Sequence, residues 1–437
     1  MSARQTALEV LIGCRKSDGW PNALLKRQIA KDGLEKRDAA LATRLVYGVL
    51  QNRMLLDFYC KQLLTGRLKD LRPVVRDILH LGLYQIRMMD KIPASAAVNE
   101  SVTLAKKYCK KQPHAASVVN GVLRSAADKH DWKEPEDLAT QYSHPQGLVK
   151  LFESYVGQDR LEGMLRANNA APDTVAQVNT LKITAAQLLQ RLEEEGVTAQ
   201  PHKWMKNCLV LSGTGSVEQL PSFREGLFYI QDAAARLAVD CAGITEGDYL
   251  VRDCCAAPGG KSFAAAIALG GRGLIVSSDI HEHKVELIKK GAARLGLENI
   301  GPGQTDATTF LPDFENWFDY AIVDVPCSGY GIIRKKPDIR EKDPDTMREL
   351  PALQLEILKN QARHVRPGGV LIYSTCTLVR RENEGVVEKF LKANSDYYLE
   401  PLALPECFPE NTTGMLTLVP GEYDTDGFFI ARLRRKA

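Results

Sequence analysis

The sequence predicts a multidomain protein with an all-α front, a small α+β middle module and a C-terminal α/β domain on a doubly wound parallel sheet. Three observations predict it. The chain has 437 residues, more than the roughly 250–300 at which one core usually stops growing. Residues 1–130 read as helical throughout, with few β-branched runs or hairpin turns. From residue 245 onward, strand-like apolar runs alternate with helical ones, the pattern of a parallel sheet covered on both faces.

In the front, Val75, Ile78, Leu79, Leu81 and Ile86 fall near one face of a helix. Pro73 opens it, in the first turn, where its missing N–H costs nothing. Further helices are expected at Ala94–Tyr108 and Ala115–Ala127. The polar, Pro-containing stretch from Asp131 to Pro145 reads as a linker. Short helices follow, then a strand at Val175–Leu181, a helix at Ala185–Glu195 and a strand at Cys208–Leu211. Leu227-Phe-Tyr-Ile-Gln-Asp leads into a helix that opens the last domain.

In that domain, strands are expected at Tyr249–Cys254, Leu274–Ile280, Tyr320–Val325 and Val370–Thr375. Helices are expected at Lys261–Ala268, Glu282–Leu295, Ala352–His364 and Glu382–Ala393, with a final hairpin pairing Met415–Val419 with Phe428–Leu433. Right-handed crossovers put the ligand site at the carboxyl ends of the strands. The domain limits are expected at 1–130, 131–230 and 231–437.

Composition narrows the function. Hydrophobic residues make up 44% and charged residues 25%, ordinary for a globular protein. No apolar run approaches the roughly 20 residues of a membrane span, and Met1-Ser-Ala-Arg lacks the apolar stretch of a signal peptide. A cytoplasmic protein with no membrane partner is expected. The ten cysteines form no Cys-x-x-Cys pair and no Cys/His cluster at zinc spacing, so free thiols and no metal are expected. Net charge is +3, but residues 1–130 carry 23 Lys/Arg against 11 Asp/Glu, while 131–437 carry 34 against 43. A basic front fits a polyanionic partner, since phosphate neutralisation dominates nucleic-acid affinity; a solvated helical surface explains it equally well.

Two groups of residues carry chemistry. The first expected strand of the last domain ends in Asp253-Cys254-Cys255-Ala256-Ala257-Pro258-Gly259-Gly260-Lys261. Glycines at a strand-to-helix turn let a ligand approach the backbone and the helix N-terminus. Asp279 ends the next strand, where an acid binds ribose hydroxyls, and Asp306 follows. The Walker pattern of ATP-binding loops is absent, so an adenosine cofactor is the better fit. The second group is a pair of cysteines at two other strand ends, Asp324-Val-Pro-Cys327-Ser-Gly and Ser374-Thr-Cys376-Thr. One such cysteine reads as a buried structural thiol; two at carboxyl strand ends of one sheet point to chemistry.

Cys255-Ala-Ala-Pro-Gly-Gly-Lys, Asp324-x-Pro-Cys-Ser-Gly, Arg334-Lys-Lys-Pro-Asp-Ile and Ser374-Thr-Cys-Thr resemble motifs of the NOL1/NOP2/Sun family of RNA cytosine-5 methyltransferases. The closest likeness is to its bacterial Sun type, which acts on small-subunit (16S) ribosomal RNA. That type carries a helical NusB-like domain in front, and residues 1–130 resemble it, including Pro93-Ala-Ser-Ala-Ala-Val-Asn-Glu and Val119-Asn-Gly-Val-Leu-Arg. The resemblance spans nearly the whole chain and implies a Rossmann-like class I methyltransferase domain that uses S-adenosylmethionine, in a protein expected to be a monomer. Two positions depart from it: Gln177 stands where relatives often have Arg, and Ala233 where they often have an acid.

The chemistry fits. Carbon 5 of cytosine is a poor nucleophile until a thiolate adds at carbon 6 and makes the ring enamine-like. The resemblance implies Cys376 as that nucleophile and Cys327 as the residue that assists product release in proton removal. DNA cytosine methyltransferases use the Pro-Cys cysteine, so Cys327 stays an alternative nucleophile. Asp324 is expected at the cytosine N3/N4 edge, protonated or sharing a proton if it donates to N3. A thiol near pKa ~8.5 needs positive potential to ionise, which helix N-termini and Lys261 supply. Cys255, Ala256, Ala257, Pro258, Gly259, Gly260 and Lys261 would wrap the cofactor's methionine and adenosine. Asp279 would take the ribose and Asp306 the adenine edge, with Asp324 near the transferred methyl. The target base must leave its stack, and Arg334, Lys335, Lys336 and Arg340 are expected to contact the RNA backbone. Competing readings are the same chemistry on transfer RNA, a non-catalytic RNA-binding or ribosome-assembly factor, and a dehydrogenase. The last is disfavoured because strand-end cysteines have no role in hydride transfer.

Overall fold

The computed structural model describes residues 1–16, 21–112, 114–342 and 347–437; residues 17–20 and 113, within the stretch expected to be helical, lie outside these. The chain forms two compact units, Met1–Ala170 with Ile333–Lys342, and Ala171–Ile332 with Asp343–Ala437. No described helix is long and apolar enough to cross a membrane.

The first unit is helical. Helix Pro73–Met88 is its centre, with Pro73 at the start. Val75, Ile78, Leu79, Leu81 and Leu83 are buried against Leu8, Leu45, Leu56, Val119 and Leu123 from the surrounding helices. Ile86, expected on the same face, packs at the margin. Gly82 permits a close helix approach, since a Cβ there would lie 2.4 Å from a methyl carbon of Leu123. Helices Ala94–Tyr108 and Ala115–Asp128 appear where the periodicity puts them. Of the stretch 131–230, helices Leu138–Gln141, Gln146–Val156 and Gln158–Asn169 cluster with this unit.

The second unit begins with a four-stranded antiparallel sheet of β1 (Thr174–Val178), β2 (Thr198–Pro201), β3 (Cys208–Ser212) and β4 (Phe228–Ile230), ordered β2-β3-β1-β4. Helix Ala185–Glu194 starts with a capping box between Thr184 and Gln187. Its Leu188 and Leu192 pack on Ala176, Val178, Leu209 and Phe228. The segment at Leu227, expected only to lead into a helix, supplies the fourth strand before helix Ala233–Asp240 begins.

The second sheet holds β5 (Leu250–Asp253), β6 (Leu274–Asp279), β7 (Ile300–Gln304), β8 (Phe318–Asp324), β9 (Val365–Thr375), β10 (Tyr397–Leu399), β11 (Met415–Leu418) and β12 (Phe428–Arg435). Its order is β10-β12-β9-β8-β5-β6-β7, with β11 pairing β12. β5 to β9 are parallel, and β12 runs antiparallel to β9. From β5 the chain winds outward through β6 and β7, then returns to β8 and β9 on the other side. That reversal opens a crevice outside the carboxyl ends of β5 and β8, where open α/β sheets bind ligands. Asp253 and Asp324 are the last residues of those two strands.

Candidate active site

A cavity of about 190 Å³ lies at the reversal point, lined by residues that include Ile230, Gln231, Asp253, Cys255–Pro258, Gly260, Lys261 and Asp324. Its floor is the turn from β5 into helix Gly260–Ala268. Gly259 adopts φ 113°, a left-handed value that L side chains rarely adopt. A Cβ on Gly260 would come within 2.8 Å of the Gln231 amide. The expected loop residues Cys255, Ala256, Ala257, Pro258, Gly260 and Lys261 thus gather on one cavity. Asp279 and Asp306 lie beyond it, at the ends of the neighbouring strands. Asp279 closes β6, and its carboxylate accepts the His281 amide at 3.1 Å. Asp306 follows β7, exposed, and accepts the amide and hydroxyl of Thr308 at 2.9 and 2.8 Å.

Asp324 is tied from two sides. Lys261 Nζ donates to Oδ2 and Ser374 Oγ to Oδ1, both at 2.7 Å. Burial pushes the Lys261 pKa down, but the Asp324 carboxylate more than offsets it, with Asp253 and Cys376 adding, so the ammonium is held above its ordinary value. Its Nζ also sits 5.2 Å from the centre of the Phe428 ring. With an ammonium and a hydroxyl both donating to it, Asp324 presents itself as an acceptor.

The two expected cysteines meet. Cys327 follows β8 and Cys376 follows β9, adjacent parallel strands in which Asp324 pairs with Ser374. The shared register carries both loops to one level, and the sulfurs lie 3.3 Å apart. The hydrogen bond to Cys376, then burial, then the charges of Cys376, Glu382 and Asp324 hold the Cys327 thiol well above its ordinary pKa. Either sulfur can donate to the other. Backbone contacts lock the loops further. Gly331 N donates to Cys376 O at 3.0 Å, and Gly427 N to Gly331 O at 2.8 Å. A Cβ on Gly331 would fall 2.1 Å from Gly427 O.

Asp253 is fully buried, and its Oδ2 accepts Ser262 Oγ at 2.7 Å while Oδ1 has no partner. Burial raises its pKa to about 6 against the Ser262 and Lys261 contributions, whereas an unfolded aspartate titrates near ~3.9. Between those values the folded state keeps a proton that the unfolded chain has released, so stability falls as pH rises through that window. A gap of about two pH units between the two midpoints corresponds to roughly 3 kcal/mol. Asp253→Asn is expected to lose this fall, its stability relative to wild type growing from pH 4 to 7. Urea midpoints across that range check it, and a constant difference would refute the assignment.

The four basic residues after Cys327 fold with the helical unit. Arg340 is buried, and its guanidinium donates to the carbonyls of Gln51 and Ser143 at 2.7 and 3.1 Å. Burial pulls its pKa down to about 10. Its charge is committed inside the protein, so Arg340 is a structural residue rather than the expected RNA contact. Arg334 is buried as well, Lys335 is half-buried and Lys336 is exposed. Sequence reasoning passed over Asp253 and Ser374, although both stood in the quoted motifs, and over Glu382 and Asn383 behind the cysteine loops. An acid at a strand end was the available signal for Asp253.

Comparison with known proteins gives the following. Residues 244–434 match the family described as 16S rRNA methyltransferase RsmB/F, residues 1–128 the NusB family, and residues 144–218 the ferredoxin-like domain of RsmF/B-like methyltransferases. The chain is 38% identical to the probable ribosomal RNA small subunit methyltransferase B of Bacillus subtilis, covering 100% of this chain and 99% of that protein. It is 32% identical to the ribosomal RNA small subunit methyltransferase B of Vibrio cholerae, covering 93% and 92%. Among solved structures, that of PH0851 superposes with a TM-score of 0.83 at 25% identity, over 99% of this chain and 98% of that one. A methyltransferase homologue from Pyrococcus horikoshii superposes with a TM-score of 0.59 at 27% identity, over 68% and 98%.

Proposed function

The chain belongs to the RsmB/F family of 16S rRNA methyltransferases, and from that premise we propose how its residues methylate carbon 5 of a cytosine in 16S rRNA. It is an S-adenosylmethionine-dependent enzyme of that family. The single observation that carries the mechanism is the Cys327–Cys376 contact of 3.3 Å, with Cys327 held as the thiol.

The residues at the cavity fit the cofactor. The unpartnered Asp253 oxygen is an acceptor for a cationic ligand, and Gly260 lines the same cavity. Cys255 to Lys261 would hold the methionine and adenosine, Asp279 the ribose, Asp306 the adenine edge and Asp324 the region of the methyl. When bound, S-adenosylmethionine supplies an electrophilic methyl group, carried on a sulfonium, to carbon 5.

Cys376 is the nucleophile, its thiolate bonding to carbon 6 and pushing electrons toward carbon 5. Asp324, an acceptor fixed by Lys261 and Ser374, receives the exocyclic amino group of the base. Once Cys376 is a thioether, Cys327 loses the neighbour that most strongly held its proton. It then ionises more easily, releasing its proton to solvent, and the resulting thiolate takes the carbon 5 proton. The C–H electrons re-form the C5–C6 double bond and expel Cys376 as thiolate.

The proposed division of labour assigns RNA affinity to the basic front, 1–130, a supporting role to 131–230, and catalysis to 231–437. Lys335 and Lys336 remain the proposed phosphate contacts of the loop after Cys327. One chain supplies every residue of the site, and a monomer is the proposed state. The cytoplasm is the proposed compartment, in keeping with ten free cysteines. The test is transfer of labelled methyl to unmodified 16S rRNA, with the product mapped as 5-methylcytosine. Transfer to transfer RNA alone, or to neither RNA, would overturn the reading.

A further inference from the structure

Helix Glu384–Ala393 begins two residues later than its periodicity predicts, because Glu382 and Asn383 turn inward. Both are fully buried. Asn383 occupies the N-cap position, where asparagine ordinarily accepts a backbone N–H of the first turn, a bond worth about 1 kcal/mol. It makes no such bond. Its Oδ1 instead accepts Thr375 Oγ1 at 2.6 Å, and its Nδ2 donates to Thr377 O at 3.0 Å. Those residues flank Cys376 on both sides.

Glu382 does the same for the other loop. Its Oε2 accepts the Ser328 amide at 2.9 Å and Gln354 Nε2 at 3.0 Å, while that Gln354 amide also donates to Pro326 O at 3.0 Å. Pro326 and Ser328 flank Cys327. A hydrogen bond of 2.7 Å between Ser328 Oγ and Thr377 Oγ1 joins the two loops directly. Glu382 Oε1 has no hydrogen-bond partner. A buried carboxylate left partly unsatisfied is costly, and helix packing alone does not require one here.

We infer that Glu382 and Asn383 are positioning residues that clamp the two cysteine loops together, Asn383 by the residues on either side of Cys376, Glu382 by Ser328 directly and by Pro326 through Gln354. Glu382 adds a negative charge facing Cys327 and so favours its thiol form. The other ionisable groups facing Cys327 are Cys376, Asp324 and Tyr373, with Lys261 held against Asp324. The inference deepens the proposed mechanism and rests on reading the two cysteines as a reactive pair.

The test uses the full-length protein and needs neither RNA nor cofactor, so its outcome is separate from that of the methylation assay. Iodoacetamide alkylation of Cys327 is followed against pH by peptide mass mapping, with exposed Cys407 as internal reference. Glu382→Gln keeps the shape and an acceptor for the Ser328 amide but removes the charge. Its Cys327 profile is expected to move to lower pH, with about tenfold more thiolate at a fixed pH when the midpoint falls by one pH unit. An unmoved profile in the folded variant overturns the electrostatic role. Asn383→Ala is read by phenylarsine oxide, which captures two sulfurs held side by side. Capture of Cys327 and Cys376 is expected to slow several-fold relative to wild type, and an unchanged rate overturns the clamp.

Discussion

Cys376→Ala is expected to abolish methyl transfer, by about 10⁴-fold or more, as removal of a catalytic nucleophile does in other covalent enzymes. Nothing else at the site replaces it. Asp324 is engaged by Lys261 and Ser374, and burial with the charges of Glu382 and Asp324 still favours the Cys327 thiol when the Cys376 sulfur is gone. Without carbon 6 addition, carbon 5 stays too poor a nucleophile for the reaction. The variant should also form no protein–RNA adduct resistant to denaturation. Labelled methyl transfer and a denaturing gel read both. An active Cys376→Ala beside an inactive, adduct-free Cys327→Ala would reverse the roles and return the nucleophile to the Pro-Cys position.

Cys327→Ala is expected to do the opposite to the adduct. Carbon 6 addition and one methyl transfer proceed, but the carbon 5 proton has no acceptor 3.3 Å from the Cys376 sulfur. Turnover should fall by roughly 10²–10⁴, the usual contribution of a positioned acid–base group. The methylated RNA should stay bonded to Cys376, giving a burst of about one methyl per enzyme and a persistent shifted band. Normal turnover with no accumulated adduct would remove Cys327 from the release step.

Much of this was legible because the catalytic sheet writes its periodicity plainly. β5, β6 and β8 are apolar runs ending in Asp253, Asp279 and Asp324, and the strand-end rule points to the site without any geometry. β7 was not legible. Ile300-Gly-Pro-Gly-Gln carries two glycines and a proline, which read as a turn, yet it survives at the edge of the sheet, where proline is tolerated. β4 and β10, of three residues each, are too short for alternation to register. The cysteine pair was recognisable from its two motifs, but its spacing depends on β8 and β9 being neighbours. Glu382 and Asn383 read as the start of an ordinary helix, since nothing local distinguishes a buried carboxylate from a solvated one. Arg340 failed for the same reason: a run of basic residues carries no mark of which one turns inward.

The contact between Gly331 and Gly427 has a consequence for the order in which the protein is made. Cys376 is followed by 50 residues before Gly427, and Gly427 leads into β12, which pairs with β9 and brings Phe428 against Lys261. A nascent chain that has already emerged with both cysteines therefore still lacks the backbone that seats their loops. The reactive sulfurs are thus seated only after Gly427 and β12 have been made and β12 has paired with β9.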